Sequence, residues 1–552
     1  MDGTAIVGRA VQTAASALDL LHDQSDLTKA AERWGAAVKN PSTLFLTHPG
    51  EGVAVVPDPL GGSLVFIWEG ARATYLSSSL PSVIEVASAY GDAPEKDLEF
   101  QLERALVGNG GYLPTSYAGI RVAAMSSWIR IDDTGVRQLV YPFFEEDLAA
   151  TGSYADLLHL ARADLLESLE AIANMPVSQR VAHLTGGFDS RLILAGLLEG
   201  GLTDRFEFFC SGPVGSPDRD VADLISAHFG LTRTLNAGLS QYPTSHPREM
   251  FLLPMDNSGG LTTTGPIGRE EQQSVAAVGG GYGEVLRSFH SPKLAPLNLG
   301  LDRRYPEKEL AAALWGSGAT AEGGLATPDA ADRLRRRAAD SLQDLAAHIA
   351  AEDQLGDLHY AAARNRYHIG HSSVLWSRYG ARFDPLYSRA GFRLAMSLPL
   401  GPRSANVIGF DLMMSLVPEL AALPFDKPRF GGGFDSYRRA PEPITPRAGR
   451  FTTRPHRSIY PPAKKAAVSE DARRRLLAQA KRAGVSYWQV HHMPSTQQGL
   501  RWALAHINES EIAPIFNVDY VRRLSTERLQ KRREIRHLYS AYAALVWYFQ
   551  GK

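Results

Sequence analysis

Cysteine is almost missing from this sequence: among 552 residues there is one, Cys210. A single thiol excludes an intrachain disulfide and any multi-cysteine metal cluster, and it fits a reducing compartment. Net charge is nearly absent as well, with 58 Lys and Arg against 59 Asp and Glu. That balance gives no reason to expect nucleic acid or a membrane surface as an obligatory partner. No apolar run reaches the roughly 18 residues that a bilayer span requires. The first twenty residues carry Asp2 and Asp19 and lack a basic start, an apolar stretch and a small-residue cleavage site, so no secretory signal is expected. These absences predict a soluble cytoplasmic protein.

What is present is ordinary globular material, 44% hydrophobic and 21% charged. The chain is too long for one core, and its length suggests roughly two to four domains. After a helical pattern over 10–38, period-two runs broken by Pro and Gly appear at 42–47, 52–56, 64–68, 72–76 and 121–131, predicting a β-rich N-terminal domain. Beyond Asp147 the pattern alternates: a helix over 154–174, strands over 177–184, 205–210, 231–236 and 274–278, and a helix over 217–229. Strands alternating with helices imply a parallel sheet covered on both faces, with ligands bound beyond the carboxyl ends of its strands. Helices are expected to dominate from Pro306, over 306–315, 328–351, 358–379 and 388–398. Residues 431–468, rich in Gly, Pro and Arg, read as a long loop, and a helical pattern resumes at Glu470. Within that loop the basic segment 438–465 reads as solvated, with steering of an acidic or peptidic substrate as the alternative.

The junction Leu184-Thr185-Gly186-Gly187-Phe188-Asp189-Ser190 lies between a strand-like run and an apolar helical run. Two glycines let backbone approach a ligand, and the helix that follows offers unpaired N–H groups and a positive dipole end, which suits a pyrophosphate. Asp189 adds a carboxylate for a divalent metal and Ser190 a short hydroxyl. A second glycine-rich stretch, Val278-Gly279-Gly280-Gly281-Tyr282-Gly283-Glu284, with Arg287 close behind, follows another predicted strand.

The first junction resembles the S-G-G-x-D-S loop of the N-type ATP pyrophosphatases, above all the asparagine synthetase-like family with its beta-lactam synthetases and lasso peptide cyclases; Thr185 replaces the usual Ser. The second stretch resembles that family's G-x-G-x-D-E motif, with Gly283 standing where Asp is usual. The resemblance implies an α/β chain: an N-terminal β-rich Ntn-hydrolase-like, degenerate glutaminase domain (1–150), then a parallel-sheet adenine nucleotide alpha hydrolase-like synthetase domain (151–430) with a helical C-terminal part. The loop 431–468 and a helical extension, 469–552, would follow. It implies ATP and Mg2+ as cofactors, with ATP and pyrophosphate held by Leu184, Thr185, Gly186, Gly187, Asp189, Ser190, Cys210, Gly280, Gly281 and Arg287. Asp189 and, after a one-residue shift of register, Glu284 would be the metal ligands.

Three further segments extend the resemblance. Val56-Pro57-Asp58-Pro59-Leu60-Gly61-Gly62, with Tyr75 to Ser79 beyond, is similar to the turn and strands of the family's glutaminase-like domain, although a generic hairpin reads the same way. Arg382-Phe383-Asp384 lies where asparagine synthetases carry E-x-R-x-P-F-L-D, but Gly380 replaces the glutamate and the aspartate is displaced. Leu423 to Gly431 resembles the R-x-K-x-G segment that grips acyl-adenylate and pyrophosphate, with Lys427 and Arg429 in the cationic places and either able to supply the charge. Lactam-forming relatives place a tyrosine at the position of Tyr282 as a base for the attacking amine. A phenol of ordinary pKa, about 10, needs a coupled partner for that work.

Glutamine-dependent members of the family carry an N-terminal cysteine nucleophile, whereas this sequence begins Met1-Asp2-Gly3. The nitrogen is therefore expected to arrive as an amine. The expected activity is that of an ATP-dependent amide-bond-forming C–N ligase that adenylates a carboxylate and releases pyrophosphate, in specialised natural-product biosynthesis. A macrolactam cyclase of the lasso-peptide type and an ATP-binding pseudoenzyme without turnover are the alternatives. The expected partners are small-molecule or peptide carboxylates and amines, with a homodimer among the options for oligomeric state. The pairs His368/His371 and His491/His492 lack carboxylate or cysteine company and read as structural.

Overall fold

The structure, a computed structural model, describes residues 5–8, 26–108, 111–149, 152–212, 215–235, 248–265, 275–300, 304–316, 324–349, 351–377, 381–430, 433–455 and 469–550. Strands in the N-terminal part are β1 (Ala5–Gly8), β2 (Ser42–His48), β3 (Gly52–Pro57), β4 (Phe66–Glu69), β5 (Thr74–Ser77), β6 (Arg121–Val122), β7 (Ser127–Asp132) and β8 (Gly135–Val140). They make two antiparallel sheets, ordered β1-β2-β3-β7-β8 and β5-β4-β6. Alternation along β3 explains the layering. Ala54 and Val56 face the helix Leu27–Ala37 through Trp34, Leu44 and Trp128, while Val55 on the opposite face meets Val65, Ile67 and Ile129 between the two sheets. The far side of the small sheet, through Leu64, Phe66 and Ile120, covers the helices Leu80–Ala89 and Leu98–Val107. The layer order is thus helix, sheet, sheet, helices. The period-two run expected over 121–131 is two strands in different sheets, because Ser126 takes a left-handed φ of 57° and its N–H turns to the Pro59 carbonyl at 2.8 Å.

The third sheet is parallel throughout and comprises β9 (Gln179–His183), β10 (Glu207–Phe209), β11 (Thr232–Leu235), β12 (Val275–Val278), β13 (Ala381–Phe383) and β14 (Thr452–Pro455), in the order β13-β12-β9-β10-β11-β14. Val181, Ala182, Phe208, Ala276 and Val278 are buried, as in a sheet covered on both faces. The helix Phe188–Glu199 after β9 buries Leu192, Ile193, Leu194, Ala195 and Leu197, and it packs between the helices Tyr154–Ala173 and Val407–Leu416. Two strands of this sheet lie outside the sequence expectation, as do β1 and β8 in the N-terminal part. Three-residue β13 is too short to show a period, and β14 lies in the stretch expected to be loop. There Thr452 and Thr453 pair with β11 at the sheet edge, and Pro455 ends the strand where a missing N–H costs nothing. Within the basic segment, Arg457, Lys464 and Lys465 lie outside the described residues, as does Gly380.

Helices dominate from Glu307 as expected, and the last four long ones share a core with Leu98 and Leu102 of the N-terminal part. The helical run Leu355–Trp376 is wound in the wide π form over Tyr360–His371. Among the described residues no helix is long and apolar enough to cross a membrane.

The wide helix docks the N-terminal sheets onto the parallel sheet. Asp58, buried after β3, accepts the N–H groups of Gly62 (3.0 Å) and Ser63 (2.7 Å) and so closes the turn that the motif predicted. Arg366 donates from Nε to the Gly61 carbonyl at 2.9 Å. Gly370 packs directly on Gly62: a Cβ there would lie 2.6 Å from the Gly62 carbonyl oxygen. Backbone cannot yield as a side chain can, so Gly370→Ala is expected to destabilise the protein by about 1–3 kcal/mol, the usual cost of overpacking. Urea denaturation checks this, and an unchanged midpoint would show that the two backbones do not touch.

Candidate functional site

Strand order reverses at β9: the chain proceeds from it to β10 and β11 on one side, then returns to place β12 and β13 on the other. A crevice opens at such a switch point beyond the strand ends. The loop 184–190 stands at that end. The Leu184 N–H prolongs the β9 ladder with a bond to the Phe209 carbonyl at 2.7 Å. Thr185 and Ser190 then tie the turn together: the Thr185 N–H donates to Ser190 Oγ at 3.1 Å, and the Gly187 N–H to Thr185 Oγ1 at 3.2 Å. Gly187 caps the helix without any side-chain bond, which leaves its first-turn donors uncapped. Neither Gly186 nor Gly187 has a positive φ. What they supply is space. A Cβ on Gly186 would fall 2.5 Å from Asp426 Cβ, and one on Gly280 would lie 3.3 Å from the Ser190 nitrogen.

Three segments therefore meet: the loop after β9, residues 279–287 after β12, and residues 424–430. Asp189 is held by Arg287 through two bonds, Nη1 to Oδ1 at 2.5 Å and Nη2 to Oδ2 at 3.0 Å. The same guanidinium lies 3.6 Å from Glu284 Oε1, whose other oxygen accepts from the Tyr360 hydroxyl at 3.2 Å. Burial, with the nearby Asp189 charge, holds the Glu284 pKa above the ordinary carboxylate range, against the pull of Arg287. Burial works against the Arg287 charge, yet Asp189 and Glu284 more than offset it and leave its pKa raised.

The residues expected to bind Mg2+ do not fit a protein-held ion in this arrangement. Both oxygens of Asp189 are engaged by Arg287, and among the described residues no group of three or more His, Cys, Asp or Glu could hold a metal. At Gly283, where the family's aspartate is usual, a Cβ would lie 2.5 Å from Asp189 Oδ1. A side chain there would have to displace Asp189.

Arg429 reaches the loop, with Nη2 3.7 Å from where a Gly187 Cβ would stand, and it donates to Asp426 at 2.6 Å. Its Nε is buried without a partner. Lys427 sits exposed on the same turn. Three other expected residues face elsewhere. The Gly281 N–H donates to Asp384 Oδ1 at 3.1 Å. Cys210 is buried, and burial together with Asp218 pushes its thiol pKa up; its carbonyl accepts from Arg219 at 3.2 Å. Tyr282 is fully buried against Gly62 and Tyr387 rather than beside the loop, and its hydroxyl has no partner. Burial first, then the charges of Asp58 and Asp384, push its pKa well above 10, the opposite direction from a base working near neutrality. The histidines are packed: His371 meets the Phe66 ring edge-on and His491 stacks on Tyr487.

Two residues escaped the sequence reading. Asp218 accepts the Gly186 N–H at 2.7 Å and so puts a carboxylate in the glycine loop; its place in the first turn after Ser216-Pro217 was the available signal. Arg191, fully buried, donates to the carbonyls of Leu420 (2.8 Å), Leu423 (2.9 Å) and Pro424 (2.5 Å) and lies 3.5 Å over the Phe425 ring. A charge inside an otherwise apolar helical run was the clue to it. No protein-family model matches the chain, and no curated protein matches it either.

An aspartate at position 283 should damage this site. Gly283→Asp is expected to cost about 1–3 kcal/mol by overpacking and to break the Asp189–Arg287 pair. Urea denaturation reads the first effect; a variant as stable as the parent would mean that residue 283 does not abut Asp189.

Proposed function

We propose that the chain is an ATP-dependent amide-forming ligase of the asparagine synthetase-like kind. The observation that carries this reading is the convergence of an uncapped helix N-terminus, Arg287 and Arg429 at the switch point of a parallel sheet. Anionic groups bind at helix N-termini, and arginine forks suit phosphate. Arg429, oriented by its bond to Asp426 at 2.6 Å, brings its guanidinium to the glycine loop.

In the proposed reaction a carboxylate oxygen attacks the α-phosphorus of ATP, the α–β phosphoanhydride bond breaks, and pyrophosphate leaves. An amine nitrogen then attacks the acyl carbon, AMP departs, and the amine proton passes to solvent. Fixed cations and N–H donors serve the first step by stabilising charge on the departing pyrophosphate. Mg2+ would enter as Mg-ATP, carried by the nucleotide's own phosphates. The helix, sheet, sheet, helices layering supports reading the N-terminal part as an Ntn-hydrolase-like domain without glutaminase chemistry. The one cysteine of the sequence, Cys210, is buried directly after β10 of the parallel sheet, so an amine is the proposed nucleophile. Small-molecule or peptide carboxylates and amines in natural-product biosynthesis, within a reducing cytoplasm, complete the proposal, with a lasso-type macrolactam cyclase as its intramolecular form. A pseudoenzyme that binds ATP without turnover is the second reading, favoured by Asp218 in the glycine loop.

Calorimetric titration with ATP and a pyrophosphate-release assay over a panel of carboxylates and amines separate these readings. A ligase binds ATP and releases pyrophosphate; binding without release leaves the pseudoenzyme, and no binding sinks both. Arg429→Ala should weaken ATP binding by about tenfold or more, as expected for a lost charge-assisted bond, whereas Lys427→Ala should change it little.

A further inference from the structure

Between Asp189 and Glu284, where the family resemblance implies a divalent metal, the structure has an arginine. The Arg287 guanidinium spends two of its five N–H donors on Asp189 and approaches Glu284 at 3.6 Å. Tyr360 supports Glu284 from the opposite side, and Arg364 of the same wide helix acts on the Glu284 charge as well. Arg287 comes three residues after Glu284, so a single turn delivers both the carboxylate and its counter-ion. Gly283 makes the arrangement possible: without a side chain there, Asp189 lies flat against the backbone and presents both oxygens to the guanidinium.

We infer that Arg287 is the resident cation of this site, filling the place of a protein-bound divalent ion, so that the site takes a triphosphate or pyrophosphate without a protein-held metal. The inference rests on the nucleotide reading above and adds to it the source of the positive charge. A guanidinium clamped by a bidentate carboxylate is already desolvated and oriented, and its N–H donors not turned to the carboxylates are left for phosphate oxygens. A magnesium ion would need near-octahedral oxygen ligation at about 2.0–2.1 Å, and here the guanidinium occupies the space between the carboxylates. The net charge also differs. One monovalent cation against two carboxylates leaves the pair short of neutrality, a deficit that Arg364 helps to meet.

Calorimetry of the full chain with ATP and with inorganic pyrophosphate, each in EDTA and again in excess magnesium chloride, tests the inference. Electron paramagnetic resonance of Mn2+ with the protein alone accompanies it. The expected result is affinity equal within about twofold in the two buffers and no bound Mn2+ signal. Binding that appears only with magnesium, or Mn2+ held by the protein alone, overturns the inference and leaves the nucleotide reading standing. Absence of binding in both buffers overturns the nucleotide reading itself, and the inference with it. Arg287→Gln, with folding checked by thermal melting, should weaken ATP binding by about tenfold or more in EDTA and recover part of that loss with magnesium. A fully folded variant that binds ATP in EDTA as the parent does would also overturn the inference.

Discussion

The reversal of strand order beside β9 is the constraint from which the rest of the site follows. Neighbouring parallel strands whose connections leave in opposite directions cannot both cover the space beyond their carboxyl ends. In this chain β9 and β12 are those neighbours, so the loop 184–190 and the segment 279–287 face each other across the gap. Asp189 comes from one wall, Glu284 and Arg287 from the other. The ion pair between them is therefore a contact between two crossovers of the sheet, and it draws the walls together as well as setting the charge inside.

Walls this close tolerate little beyond glycine. At 186 a Cβ would run into Asp426, and at 280 and 283 into Asp189, so the glycine pattern records approach distance rather than unusual backbone. The same logic holds at the junction with the N-terminal sheets, where Gly62 and Gly370 touch. Tyr282 fits into that junction with a left-handed φ of 67° and a hydroxyl without a partner. A buried unpaired hydroxyl costs about 1–3 kcal/mol, and the tight packing of two domains against one ring is what offsets it. The N-terminal part thus shapes the site from behind, by fixing the segment that carries Glu284 and Arg287.

Sequence periodicity made the two sheet types, the strand after which the loop falls and the helix that follows it legible, because alternation and continuous apolar runs are local properties. It missed β1, β8, β13 and β14; β13 and β14 are short and exist through pairing with distant strands. The glycines and Asp189 were legible as a motif. Their partners were not, since Arg287 could be placed near the phosphates but not between two carboxylates, and Asp218 and Arg191 reveal themselves only when separate elements meet. Tyr282 was read from its place in a motif, and its orientation depended on the packing of Gly62, Pro41 and Tyr387, which no local pattern encodes.

Alignment of the cationic segment left Lys427 and Arg429 equivalent; packing separates them. Phe188, the first residue of the loop helix, stacks on Phe425 with ring centres 5.3 Å apart and meets Phe430 edge-on at 6.3 Å. Arg191, one turn further along, grips the carbonyls of Leu420, Leu423 and Pro424 and lies over the same Phe425 ring. Its charge has hydrogen bonds to backbone oxygens in place of a direct carboxylate, and burial with the nearby Arg429 lowers its pKa to about 9. A buried charge is costly unless hydrogen-bonded; here Nη1 and Nη2 are bonded to backbone while Nε is left without a partner. Arg429, bonded to Asp426 on the segment that this clamp holds, stands beside Gly187, while Lys427 is exposed. A donor that is already in place adds binding without the cost of ordering a side chain, and by that argument Arg429, with Arg287 across the crevice, sets the charge geometry of the site.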